Sequence, residues 1–145
     1  MADITGTALS KLYAIITGDT SPVYANTYSR HNVANLVLPA VSVDVVGSVP
    51  DDTGAFGSSE MVENHIITLS VRVHVAYLGG YYNSTTAISM IDDLRDEILS
   101  RDNRNLSNGY RIDSVVSEVH NQEFSDSASL GSELIVTINK VGTYA

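Results

Sequence analysis

The sequence has no cysteine, which excludes a disulfide scaffold and thiolate chemistry and would leave zinc only His and carboxylate ligands. It is also poor in cations: 8 Lys and Arg stand against 17 Asp and Glu, for a formal net charge of -9. Such a chain gains nothing from phosphate contacts, which disfavours a sequence-specific nucleic-acid reader or a DNA-binding regulator. No window is long and apolar enough to span a bilayer, so no membrane partner is expected. The start, Met1-Ala2-Asp3-Ile4, carries no basic region followed by an apolar stretch, so no targeting segment is expected either.

Signatures of chemistry are missing as well. The chain contains no G-x-S-x-G elbow, no phosphate-cradling glycine loop and no H-E-x-x-H helix. Of the four histidines, His65 and His74 lie at odd separation on one expected strand and face opposite sides, so they cannot share a metal from it. Asp92 and Asp96 lie one helical turn apart, but among so many neighbouring charges they read as a solvated helix face. Asp51-Asp52 lacks the spacing of a calcium loop. No catalytic residue, metal ligand or cofactor site is assigned, and the chain is not expected to be an enzyme.

What the sequence does have is enough apolar content, 43%, to build one core in 145 residues. Ala8, Leu9, Leu12, Ile15 and Ile16 recur at helical spacing, which predicts a helix over about Thr5 to Thr17, ended by Gly18. Residues 18–38 read as an irregular segment, interrupted by Pro22 and containing Tyr24 and Tyr28. Such a segment lies either over a neighbouring subunit or across its own domain. A strand is expected from Pro39 to Val46, where valines alternate with Ala40, Ser42 and Asp44. A long hairpin loop, Gly47 to Met61, follows.

The clearest strand is His65 to Tyr77. Its odd positions from Ile67 to Tyr77 are apolar, and its even positions include Thr68, Ser70, Arg72 and His74. One face should therefore meet the core, and the other should meet water, a channel or a partner subunit. A helix is expected from Ser84 to Ser100, then a turn at Asn108-Gly109, then strands from Arg111 to Phe124 and Glu133 to Val141. This order predicts one α+β domain over 1–145: an antiparallel sheet of about four strands in two hairpins, with two helices packed on one face. Hairpins of this length leave edges that invite strand pairing between subunits.

The element order, the acidic hairpin loop, and the stretches 39–43, 66–77, 87–99 and 134–140 resemble the tail terminator proteins of long-tailed phages. They also resemble the related tail-completion and head–tail joining proteins. The likeness is one of pattern and covers roughly two thirds of the chain. It implies a homo-oligomer, a hexameric ring that caps the tail tube and stops its growth. One side would meet tail tube protein and the other the head–tail connector or stopper protein. DNA would pass through without sequence-specific binding. It implies a virion protein of the tail or neck, assembled in the host cytoplasm, with no catalytic residues to carry over. The partner contacts then fall to Asp51, Asp52 and Phe56 in the long loop and to Tyr24 and Tyr28 in the irregular segment. Thr68, Ser70, Arg72 and His74 become the channel or inter-subunit face. Two other readings stand beside this one: another neck or tail-tube component, and a small ligand-binding or hydrolytic α+β domain.

Overall fold

Valines and isoleucines alternating with small polar residues favour extended, pleated backbone, and they produce four long strands. The computed structural model describes residues 4–18, 26–33, 40–51, 61–75, 80–106, 108–124 and 129–144. Helix α1 spans Ile4–Gly18 and a two-residue strand β1 spans Thr27–Tyr28. Strands β2 (Ala40–Asp51) and β3 (Met61–Val75) precede helix α2 (Gly80–Leu99), and β4 (Tyr110–Phe124) and β5 (Ser129–Tyr144) close the chain.

The strands form one sheet in the order β1-β2-β3-β5-β4. Both expected hairpins, β2–β3 and β4–β5, are antiparallel. They join through an antiparallel β3–β5 pairing that runs the whole of β3, from Met61↔Tyr144 to Val75↔Leu130. The α+β architecture is as the alternation predicts, with a fifth strand added. That strand, β1, pairs in parallel with β2 at Thr27↔Val41 and Tyr28↔Ser42. A two-residue pairing has no sequence period to reveal it, and it forms because the segment is held from outside. The Tyr13 hydroxyl of α1 donates to the Thr27 carbonyl at 3.2 Å, and the Val41 amide donates to the Asn26 carbonyl at 2.9 Å.

The odd positions of β3, Ile67 through Val75, are buried with Val41 and Val43 of β2 and with Leu134, Val136 and Ile138 of β5. Ala8, Leu12 and Ile16 of α1 and Met90, Ile91, Leu94 and Ile98 of α2 belong to the same cluster. Both helices therefore cover one face of the sheet. Each fully buried Leu or Ile contributes about 1.5–3 kcal/mol of transfer free energy, so this cluster dominates the stability of the fold.

The long loop is shorter than its composition predicts. β2 continues through Gly47 to Asp51, pairing with Thr68 to Asn64, after a bulge between Val45 and Gly47. Ladder hydrogen bonds satisfy the backbone there and outweigh the turn-forming preference of Gly47 and Pro50. Among the described residues no strand lies on the outer edge of β2 at Pro50, and edge strands are where proline is tolerated. Similarly, α2 begins at Gly80, earlier than Ser84.

Candidate functional site: the open face and edges of the sheet

The face of the sheet without helices is built from the even positions of β3 and their neighbours. Thr68 and Arg72 are half-buried there, but Ser70 and His74 are buried. This corrects the expectation that the whole row would meet water, a channel or a partner. The chain covers part of it with its own groups. His31, in the segment after β1, places Nδ1 at 2.7 Å from Ser42 Oγ, and Ser42 Oγ lies 2.6 Å from His74 Nε2. The Phe124 ring packs edge-on to the His74 ring at 5.0 Å, and the Arg72 guanidinium lies 4.7 Å from the Phe124 centroid.

Beside this trio, Ser70 Oγ and Arg72 Nε each donate to Glu133 Oε2 at 2.8 Å. Burial pushes the Glu133 carboxyl up, but the hydrogen bonds from Arg72 and Ser70 and the charges of Arg72 and His31 outweigh it, and the net shift is downward. A hydroxyl has one proton, so Ser42 donates to one imidazole and accepts from an N–H of the other, and the two rings present opposite protonation to it. A serine beside a histidine is the beginning of a nucleophile pair. Here Ser42 and His74 are both 0% exposed, so no substrate reaches the oxygen, and Ser42 serves as a buried link between the two imidazoles. His31, Ser42 and Glu133 were not singled out from sequence. Ser42 could have been, since it falls on the polar parity of its strand. His31 carried no signal.

Among the other expected contact residues, Tyr28 is half-buried in β1, and Asp51 ends β2 with its backbone paired to Asn64. Tyr24, Asp52 and Phe56 lie outside the described residues. The structure thus brings Thr68, Ser70, Arg72 and His74 onto one face and places Asp51 at a sheet edge.

Among the described residues, the exposed large apolar side chains lie on the two edges. Val46 and Val49 on β2 are 62% and 63% exposed, and Val116 and Val119 on β4 are 61% and 39% exposed. Val46 and Val116 each sit at a β-bulge, one between Val45 and Gly47, the other between Val115 and Ser117. The register runs Val45↔Leu69, Leu69↔Val136 and Val136↔Val115, so the two bulges lie at the same level on opposite edges. Among the described residues, no strand pairs with the outer edge of β2 beyond Ser42 or with that of β4 beyond Ile112. At the start of β4, residues 104–106 bond to its outer edge: the Leu106 amide donates to the Tyr110 carbonyl, the Ile112 amide donates to the Arg104 carbonyl, and Asn105 and Arg111 form a bridge.

A basic groove opens where α2 turns into β4. Its volume is about 600 Å³, and it is lined by Arg101, Arg104, Arg111, Asn105, Asn139 and Tyr110, among others. Asn108 and Gly109, both at positive φ (54° and 82°), make the tight turn that starts β4. Lys11 and Lys140 flank the Tyr110 ring at 5.4 and 5.0 Å and donate to the carbonyls of Leu106 and Asn108 at 2.9 and 2.6 Å. Two lysines and three arginines, five of the chain's 8 cations, therefore gather at this corner.

Among the described residues, no group of three His or carboxylate side chains is placed to hold a metal ion, and no helix is long and apolar enough to cross a membrane. No protein-family model matches the chain, and no curated protein matches it.

Proposed function

We propose that the chain is a structural subunit that forms a ring at a phage head–tail junction, caps the tail tube, stops its elongation and joins it to the head connector. The observation that carries this reading is the pair of open sheet edges with exposed valines at one level. A closed ring needs two different complementary surfaces on each copy. β2 and β4 are such a pair. They run in opposite directions within the sheet, because β2–β3, β3–β5 and β5–β4 are all antiparallel. Rotation about an axis along the strands brings the β2 edge of one copy against the β4 edge of the next in antiparallel orientation. Val46 and Val116 then meet, and unpaired backbone groups find partners.

The specific setting rests on the pattern resemblance to tail terminators, with a hexamer as the implied closure. Tail tube protein and the connector or stopper protein are the partners, and the virion is the location. A charge of -9 per copy, repeated around a ring, favours passage of DNA over retention. Another neck component would use the same edges. The Ser42–His74 contact favours a hydrolytic domain, and its complete burial argues against that reading.

The test is the mass of the purified chain by light scattering, alone and with tail tubes, with negative-stain imaging of tube ends. Rings, or caps that halt tube growth, are expected from the wild type and are lost in Val46→Lys and Val116→Lys. A monomer that ignores tubes sinks the proposal.

A further inference from the structure

The basic groove is the feature that the ring reading leaves without a role. Of the five cations at this corner, Lys11 and Lys140 are engaged with backbone carbonyls and the Tyr110 ring, while Arg101, Arg104 and Arg111 are exposed. Among the described residues, none of these three arginines forms an ion pair, in contrast to Arg72 against Glu133 and Arg95 against Glu118. Exposed Asp102 and Asp113 flank them in sequence and are too few to balance the corner.

An arginine fork matches a carboxylate or a phosphate, so the groove suits an anion. The chain itself offers one. From residue 31 to residue 71 there is no Lys or Arg, while Asp44, Asp51, Asp52, Glu60 and Glu63 all fall in that stretch. The register places its far end correctly: Pro50 pairs with His65, His65 with Lys140 and Lys140 with Tyr110. Asp51 is therefore one residue from the level of the groove, on the opposite edge of the sheet. At that level residues 104–106 already bond to the outer edge of β4. When the β4 edge of one copy meets the β2 edge of the next, the end of β2 therefore arrives against the 104–106 segment, beside Arg104, and not against the β4 backbone.

We propose that the Arg101–Arg104–Arg111 groove receives Asp51, the acidic residue that ends β2, from a second copy of this chain. The inference rests on the ring reading and specifies its polar contact. The valines supply apolar area in the middle of the edge, and the charges at its end set register and direction. A phosphate backbone is the competing occupant, and the charge of -9 disfavours it.

The experiment compares the wild type, the pair Arg104→Glu/Arg111→Glu, Asp51→Lys, and the combined triple variant by sedimentation velocity at low and high salt. Melts followed by circular dichroism establish that each variant is folded. The arginine pair and Asp51→Lys are each expected to weaken ring formation about tenfold or more, and the triple variant to recover most of it. High salt weakens the wild-type ring in the same direction. Rings that form equally well in the folded single sets overturn this contact while leaving the ring reading in place, as does loss in both sets without recovery in the triple. The contact is also overturned if the arginine pair abolishes binding of duplex DNA or inorganic phosphate without changing assembly. A wild type that stays monomeric, alone and with tubes, fails the ring reading itself and the contact with it.

Discussion

Arg95 Nη1 stands 2.6 Å from Glu118 Oε2, which ties the outward side of α2 to β4. The Glu118 hydrogen bond and charge raise the Arg95 pKa above its already high value, against the opposing effect of burial, and Asp92 and Asp96 add to the rise. Arg95 also reaches Asp92 at 3.3 Å and Asp96 at 3.8 Å, so the dense carboxylate run of α2 is partly neutralised by one guanidinium. Glu118 is the best-buried partner, at 19% side-chain exposure against 35% for Arg95. A double-mutant cycle with Arg95→Met and Glu118→Gln should give a coupling of about 0.5–1 kcal/mol, discounted for solvent screening and smaller at high salt. Urea melts check it, and a coupling of zero would mean that the pair is not held in solution.

Glu133 makes stability depend on pH. Its folded pKa lies below the ordinary glutamate value of about 4.5, because Arg72, Ser70 and nearby His31 together overcome the upward push of burial. A carboxyl with a depressed folded pKa contributes stability that is fully present above the unfolded value. That stability is lost as the pH falls through the folded one. Urea midpoints should therefore decline below about pH 4.5, and Glu133→Gln should flatten that part of the acid limb while lowering stability at neutral pH. An unchanged acid limb in the variant contradicts the assignment.

The Ser42 hydroxyl serves two imidazoles at once, at 2.7 and 2.6 Å, and is itself fully buried. Removing a buried hydroxyl strands the groups it satisfied, at about 1–3 kcal/mol. Ser42→Ala should destabilise the chain by about 2 kcal/mol in denaturant melts, more than an exposed serine such as Ser117. Equal effects at both positions would show that the trio adapts at little cost.

Gly131 lies where β5 crosses close to β3. A Cβ there would sit 1.7 Å from the Val73 carbonyl oxygen and 3.3 Å from the Phe124 ring. Backbone cannot retreat from such a contact without breaking the central β3–β5 pairing, so Gly131→Ala should cost more than about 3 kcal/mol. At Gly47 an added Cβ meets nothing within 4 Å. Gly47→Ala should be neutral or slightly stabilising, by up to about 1 kcal/mol, through the unfolded chain. Thermal melts of the two variants, side by side, test the contrast, and similar Tm values would refute it.

By itself the sequence determined the elements and the division of the sheet into a buried and an open face. Both helices and all four long strands follow from apolar periodicity, because side-chain direction alternates every residue in a strand and recurs every three or four in a helix. The Asn108-Gly109 turn was equally legible, since two successive positive φ angles favour those residues. Only the tertiary structure decided what shares a site. His31 reaches Ser42 and His74 because Thr27–Tyr28 docks beside Val41–Ser42, a pairing too short for any period to show. Ser70 and His74 lie on the polar parity of β3 yet are buried, because cover comes from Phe124 and the 26–33 segment, which local pattern does not encode. That Val46 stands level with Val116, and Pro50 with Tyr110, on opposite edges of the sheet depends on three strand pairings and their bulges together. Register across a whole sheet is a sum of non-local contacts, and no single stretch of sequence contains it.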